Sequence, residues 1–268
     1  MPKLGLGLSL PARISSASAP SSYDPDALVY INAVQAADGQ ALETGVKVAI
    51  NTFVVGCKSD NIWSAIKASC ILAGARTLNG ALVPLVGTAP TNNLFVSGDY
   101  SRTLGLLGDG STKNLLSNRN NTSDPQNSKH ISVYCTSGSS RDTTRFLIGS
   151  GAGVGGTLLS TDNNSFRVRV NYLTAPATIP TGTTPITGFF GGNRASGTQF
   201  DYRFSSTSAI VLNASTTPRS DNIAIFSNPA SGSHSNARIS FYSIGESISL
   251  INLESRIVSM MSGILAAL

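Results

Sequence analysis

Residues 105 to 121 run GLLGDGSTKNLLSNRNN, and the Gly-Asp-Gly-Ser-Thr-Lys at their centre has the small residues of a phosphate-binding loop. A P-loop needs Gly-x-x-x-x-Gly-Lys-Ser/Thr between a strand and a helix, so that amides, a lysine and a hydroxyl meet the phosphates together. Gly105 and Gly110 have that spacing, but Ser111 and Thr112 stand where Lys and a hydroxyl are required, and Lys113 comes two residues late. No helical period follows in NLLSNRNN. The loop is therefore expected to be a turn entering a strand, with glycines in conformations a side chain would forbid. Gly151, Gly153 and Gly156 match the Gly-x-Gly-x-x-Gly of dinucleotide sites, yet no helix and no ribose-binding acid follow at the required distance. A hairpin loop is the simpler expectation.

Other chemistry fares no better. Glycoside hydrolysis needs two carboxylates facing each other across the scissile bond. The three glutamates are Glu43, Glu246 and Glu254; two fall in expected helices, and no strand carries paired acids on one face. His130 and His234 are the only histidines, which excludes a three-histidine metal site and leaves little for a Ser-His-Asp triad. Both are expected as partly exposed loop residues, His130 at the start of a strand. Calcium gathers several oxygen ligands, and Asp99, Asp109 and Asp124 are too isolated to do so. We expect no catalytic residue, no cofactor and no metal. Cys57, Cys70 and Cys135 are too few and too separated for a disulfide framework and are expected as small buried hydrophobes.

Binding is the remaining option. Sugar recognition calls for an exposed aromatic face beside polar groups. Trp63, the only tryptophan, falls in a helical stretch and is expected in the core. Tyr134 and Tyr242 lie on the outward register of their strands and are the better exposed aromatics. Arg167, Arg169 and Arg203 are expected on a shared outward face, where they could meet phosphate, acidic sugar, a subunit or only solvent.

The elements that must carry these groups follow from composition and period. The chain has 268 residues, 41 % apolar, and can bury a core. Charged residues are 12 %, about half the roughly 25 % usual for a soluble domain. The excess of +5 arises after residue 100 from scattered arginines, a pattern that does not favour nucleic acid. No apolar run is long enough to suggest membrane insertion. Residues 1–22, rich in Gly, Ser, Ala and Pro, form a poor signal peptide and are expected as a flexible arm ordering against a neighbour.

Residues 23–93 are expected to be a small helical attachment unit with an extended connector. Asp24, Pro25 and Asp26 open one helix, with Ala27, Leu28, Ile31 and Val34 at helical spacing. A second carries Leu42, Val46, Ile50 and Phe53. A third is expected from Asp60, with Ile62, Trp63, Ile66 and Cys70. Over 94–248 the period changes to two, as in KHISVYCTS, SFRVRVNY and QFDYRFS, with more strands near 145–148, 209–212, 222–227 and 238–244. This is an antiparallel β-sandwich. Over 249–268 Leu250, Leu253, Ile257, Met260 and Ile264 form one helical stripe behind Ser249, a candidate contact between copies. The fold class is thus mainly β, with short helices and a C-terminal helix.

Two resemblances sharpen this. LGLLGDGSTKNLLS, ITGFFGGNRASGTQFDYRF and ARISFYSIGESISLINLESRIVSMM resemble the opening, central and closing strands of concanavalin A-like (laminin G-like) jelly rolls, over residues 104–258. That implies a jelly-roll sandwich, while the glutamate-rich catalytic strand of the family's glucanases is missing. KLGLGLSLPAR, VGCKSDNIWSAIKASCILAGARTLNGALVPLVG and GDGSTKNLLSNRNNTSDPQNSKHISVY are similar to proteins of tailed bacteriophages, over nearly the full length. This implies a virion component of a tail fibre or other appendage, with other virion proteins as partners and a homo-oligomer, a trimer by preference. Its helical part attaches and its jelly roll projects or packs. A glycan-binding receptor-recognition lectin is the alternative; capsid decoration and glycan hydrolysis rank below both.

Overall fold

The computed structural model describes residues 22–139, 143–151, 153–162, 164–172, 177–181, 187–229 and 232–268. The expected arm lies outside these, apart from its last residue. Asp24 opens α1 (Pro25–Asp38) by accepting the Asp26 amide, and Pro25 sits in the first turn, where an amide hydrogen has no helical partner to lose. Next come α2 (Thr44–Ser59), β1 (Ile66–Ile71) and a one-turn α3 (Leu78–Ala81), whose Thr77 hydroxyl accepts the Gly80 amide. The strands continue as β2 (Thr91–Asn93), β3 (Tyr100–Ser101), β4 (Gly105–Leu107), β5 (Asn114–Asn120), β6 (Lys129–Ser137) and β7 (Arg145–Gly149). Then follow β8 (Gly156–Asp162), β9 (Ser165–Tyr172), β10 (Ala177–Pro180), β11 (Gly188–Arg194) and β12 (Gln199–Phe204). The chain ends with β13 (Thr207–Leu212), β14 (Asn222–Ile225), β15 (Arg238–Gly245) and α4 (Leu250–Ala267).

The strands form two antiparallel sheets. One has the order β13-β12-β11-β6-β15-β4-β3, with β1 also on β15; the other is β10-β9-β8-β7-β14-β5-β2. Inward-facing Ile131, Val133, Cys135, Phe190 and Ile244 of the first meet Phe166, Val168, Leu159 and Ile225 of the second. Sheet-on-sheet packing of alternating residues is the sandwich that the sequence period implied.

The third helix is not formed. Trp63–Ala65 is a single 3-10 turn, and Ile66–Ile71 is strand β1, paired along β15 from Ile66 to Ile71. Ile62, Ile66 and Cys70 do recur every four residues, but β1 is covered on both faces, so its apolar residues run almost unbroken and periodicity cannot tell strand from helix. Asn61, in the left-handed region at φ 58, turns the chain out of α2. The helical segment thus donates a strand to the sandwich.

The outer face of the eight-stranded sheet explains where the helices lie. One cross-strand row reads Gly191, Ser132, Ser243, Ser69, and the next reads Phe189, Tyr134, Phe241, Ile71. Small residues form a furrow and large ones a ridge. A side chain at Gly191 would come within 2.9 Å of Leu250, and Phe53 of α2 packs edge-on against Phe241 at 5.6 Å. α2 and α4 cross closely and antiparallel: a Cβ at Gly45 would lie 2.6 Å from Ala267, and one at Gly263 would lie 2.9 Å from Ala49. Leu250, Leu253, Ile257, Met260 and Ile264 are all buried in this layer. They are core of their own chain and not a surface for a second copy, because an amphipathic helix lays its widest apolar stripe on the nearest apolar partner.

Candidate functional site

The glycine-rich loop of residues 108–113 joins β4 to β5 as a turn. Asp109 Oδ1 accepts the amides of Ser111, Thr112 and Lys113 at 2.9, 2.9 and 3.0 Å, and Oδ2 accepts the Thr112 hydroxyl at 2.6 Å. Burial opposes this charge, but the Thr112 hydroxyl and the three amides outweigh it and hold the carboxyl far below the usual carboxylate range. The amide nest therefore holds an anion that the chain itself supplies. Lys113 is turned away, 2.6 and 2.7 Å from the Asp99 oxygens. Gly151–Gly156 lies in the connection from β7 to β8, where Gly155, at φ 71, accepts the Arg219 amide and donates to Tyr172. Neither glycine motif forms a nucleotide cradle.

The arginines do not share a face. Arg167 and Arg169 lie outward on β9 in the seven-stranded sheet, whereas Arg203 lies outward on β12 in the other sheet, on the opposite side of the sandwich. Arg167 pairs with Asp162 at 2.7 Å. Arg169 is buried and donates to the Gly153 carbonyl at 2.6 Å. Arg203 pairs with Glu254 of α4 and donates to Ser208 Oγ at 2.9 Å, tying the helix to the sheet edge. Tyr134 is half-buried beneath the helices; burial, then the charge of Glu254, raises its pKa. Tyr242 is fully buried, with its hydroxyl 3.3 Å from Cys70 Sγ. A β-bulge accounts for that reversal: β15 pairs Ile239 with Cys135 and Phe241 with Tyr134, so Ser240 is the extra residue and every later side chain changes face.

His130 is also buried, on β6, where Nδ1 donates to the Glu246 carbonyl at 2.5 Å and Nε2 accepts from Ser243 Oγ at 2.7 Å. Burial pushes its pKa down to about 4. It is a neutral structural link and not a loop residue. His234 does lie half-exposed in a loop. The three cysteines are free and buried.

A site emerges where none was expected. Asp26, Val29, Tyr30 and Ala33 on one flank of α1, with Trp63 and Ser64 of the 3-10 turn, Ile66 and residues 84–86, line an open groove of about 310 Å³. The capped start of α1 projects Asp26, whose Oδ2 accepts Trp63 Nε1–H at 3.0 Å and the Lys58 ammonium at 2.7 Å. Lys58 also holds Asp24 at 2.7 Å and lies 6.0 Å from the indole centroid. Its hydrogen bond to Asp24 lowers the Asp24 pKa and raises its own. Trp63 is thus fixed at its nitrogen edge and half-exposed over its body. A locked aromatic face beside a carboxylate and a hydroxyl suits a ligand with an apolar side and a hydroxylated rim. Expecting a third helix hid this: Trp63 stands at the junction of α2 and β1, on no buried stripe. Among the described residues, no three His, Cys, Asp or Glu side chains come together as metal ligands.

No family model matches the sequence, and no curated protein matches it. Among solved structures, the chain is similar to a mutant of Trypanosoma rangeli sialidase displaying trans-sialidase activity, with TM-score 0.50, 11 % identity, and coverage of 81 % of this chain and 39 % of that one. It is similar to the binding domain of botulinum neurotoxin serotype D, with TM-score 0.50, 13 % identity, and coverage of 73 % and 51 %. It is also similar to botulinum neurotoxin type C, whose cell entry depends on interaction with two ganglioside molecules, with TM-score 0.51, 11 % identity, and coverage of 74 % and 51 %. The chain thus spans about half the length of the neurotoxin chains it matches and 39 % of the sialidase chain. At such identities the likeness is one of fold: a mostly β chain of two antiparallel sheets, of the β-sandwich kind.

Proposed function

We propose that this chain is a non-catalytic recognition module of a tailed-bacteriophage virion appendage, and that the Trp63 groove holds a neutral host-surface glycan. The observation that carries the reading is the groove: an indole face locked by Asp26 and Lys58, beside the Ser64 hydroxyl. A sugar ring would lay its C–H face on the indole and turn its hydroxyls to Asp26 and Ser64. The sandwich fold supports the reading, since it occurs in a neurotoxin whose entry depends on gangliosides. The virion setting rests on the likeness of the sequence to tailed-phage proteins. The sequence favours a scaffold over a lectin; the groove is what supports the lectin reading.

A glycan array with the full chain tests the proposal. Reproducible binding is expected, and Trp63→Ala should weaken it at least about tenfold, or roughly 1.4 kcal/mol, with the circular dichroism spectrum of the folded protein unchanged at the temperature of the assay. Silence on the array and on host cells leaves a scaffold. Turnover of a bound polysaccharide, abolished by an Asp or Glu substitution, would make the protein an enzyme. Immunogold labelling of intact particles checks the setting, and unlabelled particles would remove it.

A further inference from the structure

The eight-stranded sheet ends at β13, and among the described residues no strand pairs with the far side of that strand. Thr207–Leu212 reads TSAIVL, without the charges or proline by which open edges are blunted. Its register on β12 sets Ile210 beside Asp201 and Leu212 beside Gln199, on the face that carries the helices. Both lie outside the helical layer, 60 and 80 % exposed. An open backbone edge with apolar side chains on one face fits a strand whose residues alternate in the same way.

The sequence contains one. Residues 4–10 read LGLGLSL: Leu4, Leu6, Leu8 and Leu10 recur at every second position, with Gly5, Gly7 and Ser9 between them, and Pro11 closes the run. As a strand, seven residues span about 23 Å, which covers the six residues of β13. Laid along that edge, the leucines would stand beside Ile210 and Leu212, and the small residues beside Ala209 and Val211 on the core side. Neither segment carries a charge, so nothing opposes the pairing.

The length of chain before α1 allows it. One cross-strand row, Ile66, Gly245, His130, Asn193, Asp201, Ile210, runs from β1 straight to β13. Its five strand spacings amount to about 24 Å. The start of α1 is held at the β1 end of that row by the hydrogen bond from Trp63 to Asp26. Residues 11–21 can extend about 36 Å, enough to cross that distance and pass around the helix ends.

We infer that residues 4–10 add a strand to the free edge of β13 in their own chain, with the leucines covering Ile210 and Leu212. The inference does not rest on the glycan reading, because no residue of the Trp63 groove takes part.

Hydrogen exchange of the full chain, read by mass spectrometry, tests it. Residues 207–212 should exchange at least about tenfold more slowly than in Leu6→Asp with Leu8→Asp, with equal circular dichroism spectra. Equal exchange overturns the inference. Protection that rises with protein concentration and survives the double variant gives the edge to a second copy, and overturns it too. If the aspartate variant does not fold, Leu8→Cys with Ile210→Cys replaces it. That pair should form a disulfide within one chain under mild oxidation, located by peptide mapping. Leu8→Cys with Val96→Cys, exposed beside β2 at the opposite edge of the sandwich, should not. Absence of the first disulfide, or its formation between two chains, overturns the inference.

Discussion

The eight-stranded sheet is packed on both faces, and the two faces are built differently. Its inner face meets the other sheet through aromatic and branched side chains, with Phe190 and Phe204 lying 5.3 and 5.4 Å from Phe166 of β9. Its outer face, under the helices, keeps polar groups in the dark: His130, Ser132, Ser243 and Ser69 are all buried there. The inner contact depends on filled volume. The outer one depends on steric clearance and on a few hydrogen bonds that must stay uncharged. One sheet thus joins a layer indifferent to pH to a layer sensitive to it.

The comparison is tested hardest by removing volume from the inner face. Phe190→Ala should cost about 3–5 kcal/mol, the usual range for a buried ring, read from urea unfolding at neutral pH. A loss below about 1 kcal/mol would mean that the inner contact is not the main support. Next comes pH. His130 has its pKa lowered to about 4 in the folded protein, against about 6.5 unfolded, so the unfolded chain takes up the proton first. Its contribution is complete above pH about 6.5 and is lost as pH falls to about 4, a change of roughly 3 kcal/mol. Unfolding measured across that window should flatten in His130→Gln, whereas Phe190→Ala should keep the wild-type slope.

Steric clearance ranks third. Gly263→Leu pushes a side chain into Ala49 and should cost about 1–3 kcal/mol, the range for overpacking, with one unfolding transition by both circular dichroism and Trp63 fluorescence. Two separated transitions would show that the helical layer melts alone. The smallest effect belongs to the helix end. Ser249 accepts the Asn252 amide at 3.3 Å, and Ser249→Ala should cost about 1 kcal/mol by the same urea titration.

Much of this was legible in the sequence, and the exceptions have physical causes. Alternation in 129–137 and 165–172 reports an apolar face turned to the core and a polar face turned away from it, which these strands keep even where helices cover the polar face of 129–137, and Asp24-Pro25 and Ser249 mark helix starts by their capping chemistry. Strand β1 hid because both of its faces carry apolar or small residues, so no alternation marks it. Tyr242 was misplaced by one bulged residue, since parity carries no record of an insertion. Arg203 was grouped with Arg167 and Arg169 because outward register tells a side of a strand and not which sheet the strand joins. The Trp63 groove was invisible for a similar reason: it is assembled from residues 26 to 33, 63 to 66 and 84 to 86, and no local pattern links them. The apolar stripe of α4 was legible too, but periodicity does not say whether its partner lies in the same chain or in a copy, and here it lies in the same chain.

Strand β15 meets β6 on one side and is shared by β1 and β4 on the other. A truncated chain beginning at residue 94 would strip β1 away and bare the backbone of residues 241–245 beside Phe241. Such an uncapped edge recruits strands from other molecules, so that fragment should precipitate or fibrillise while the longer chain stays dispersed.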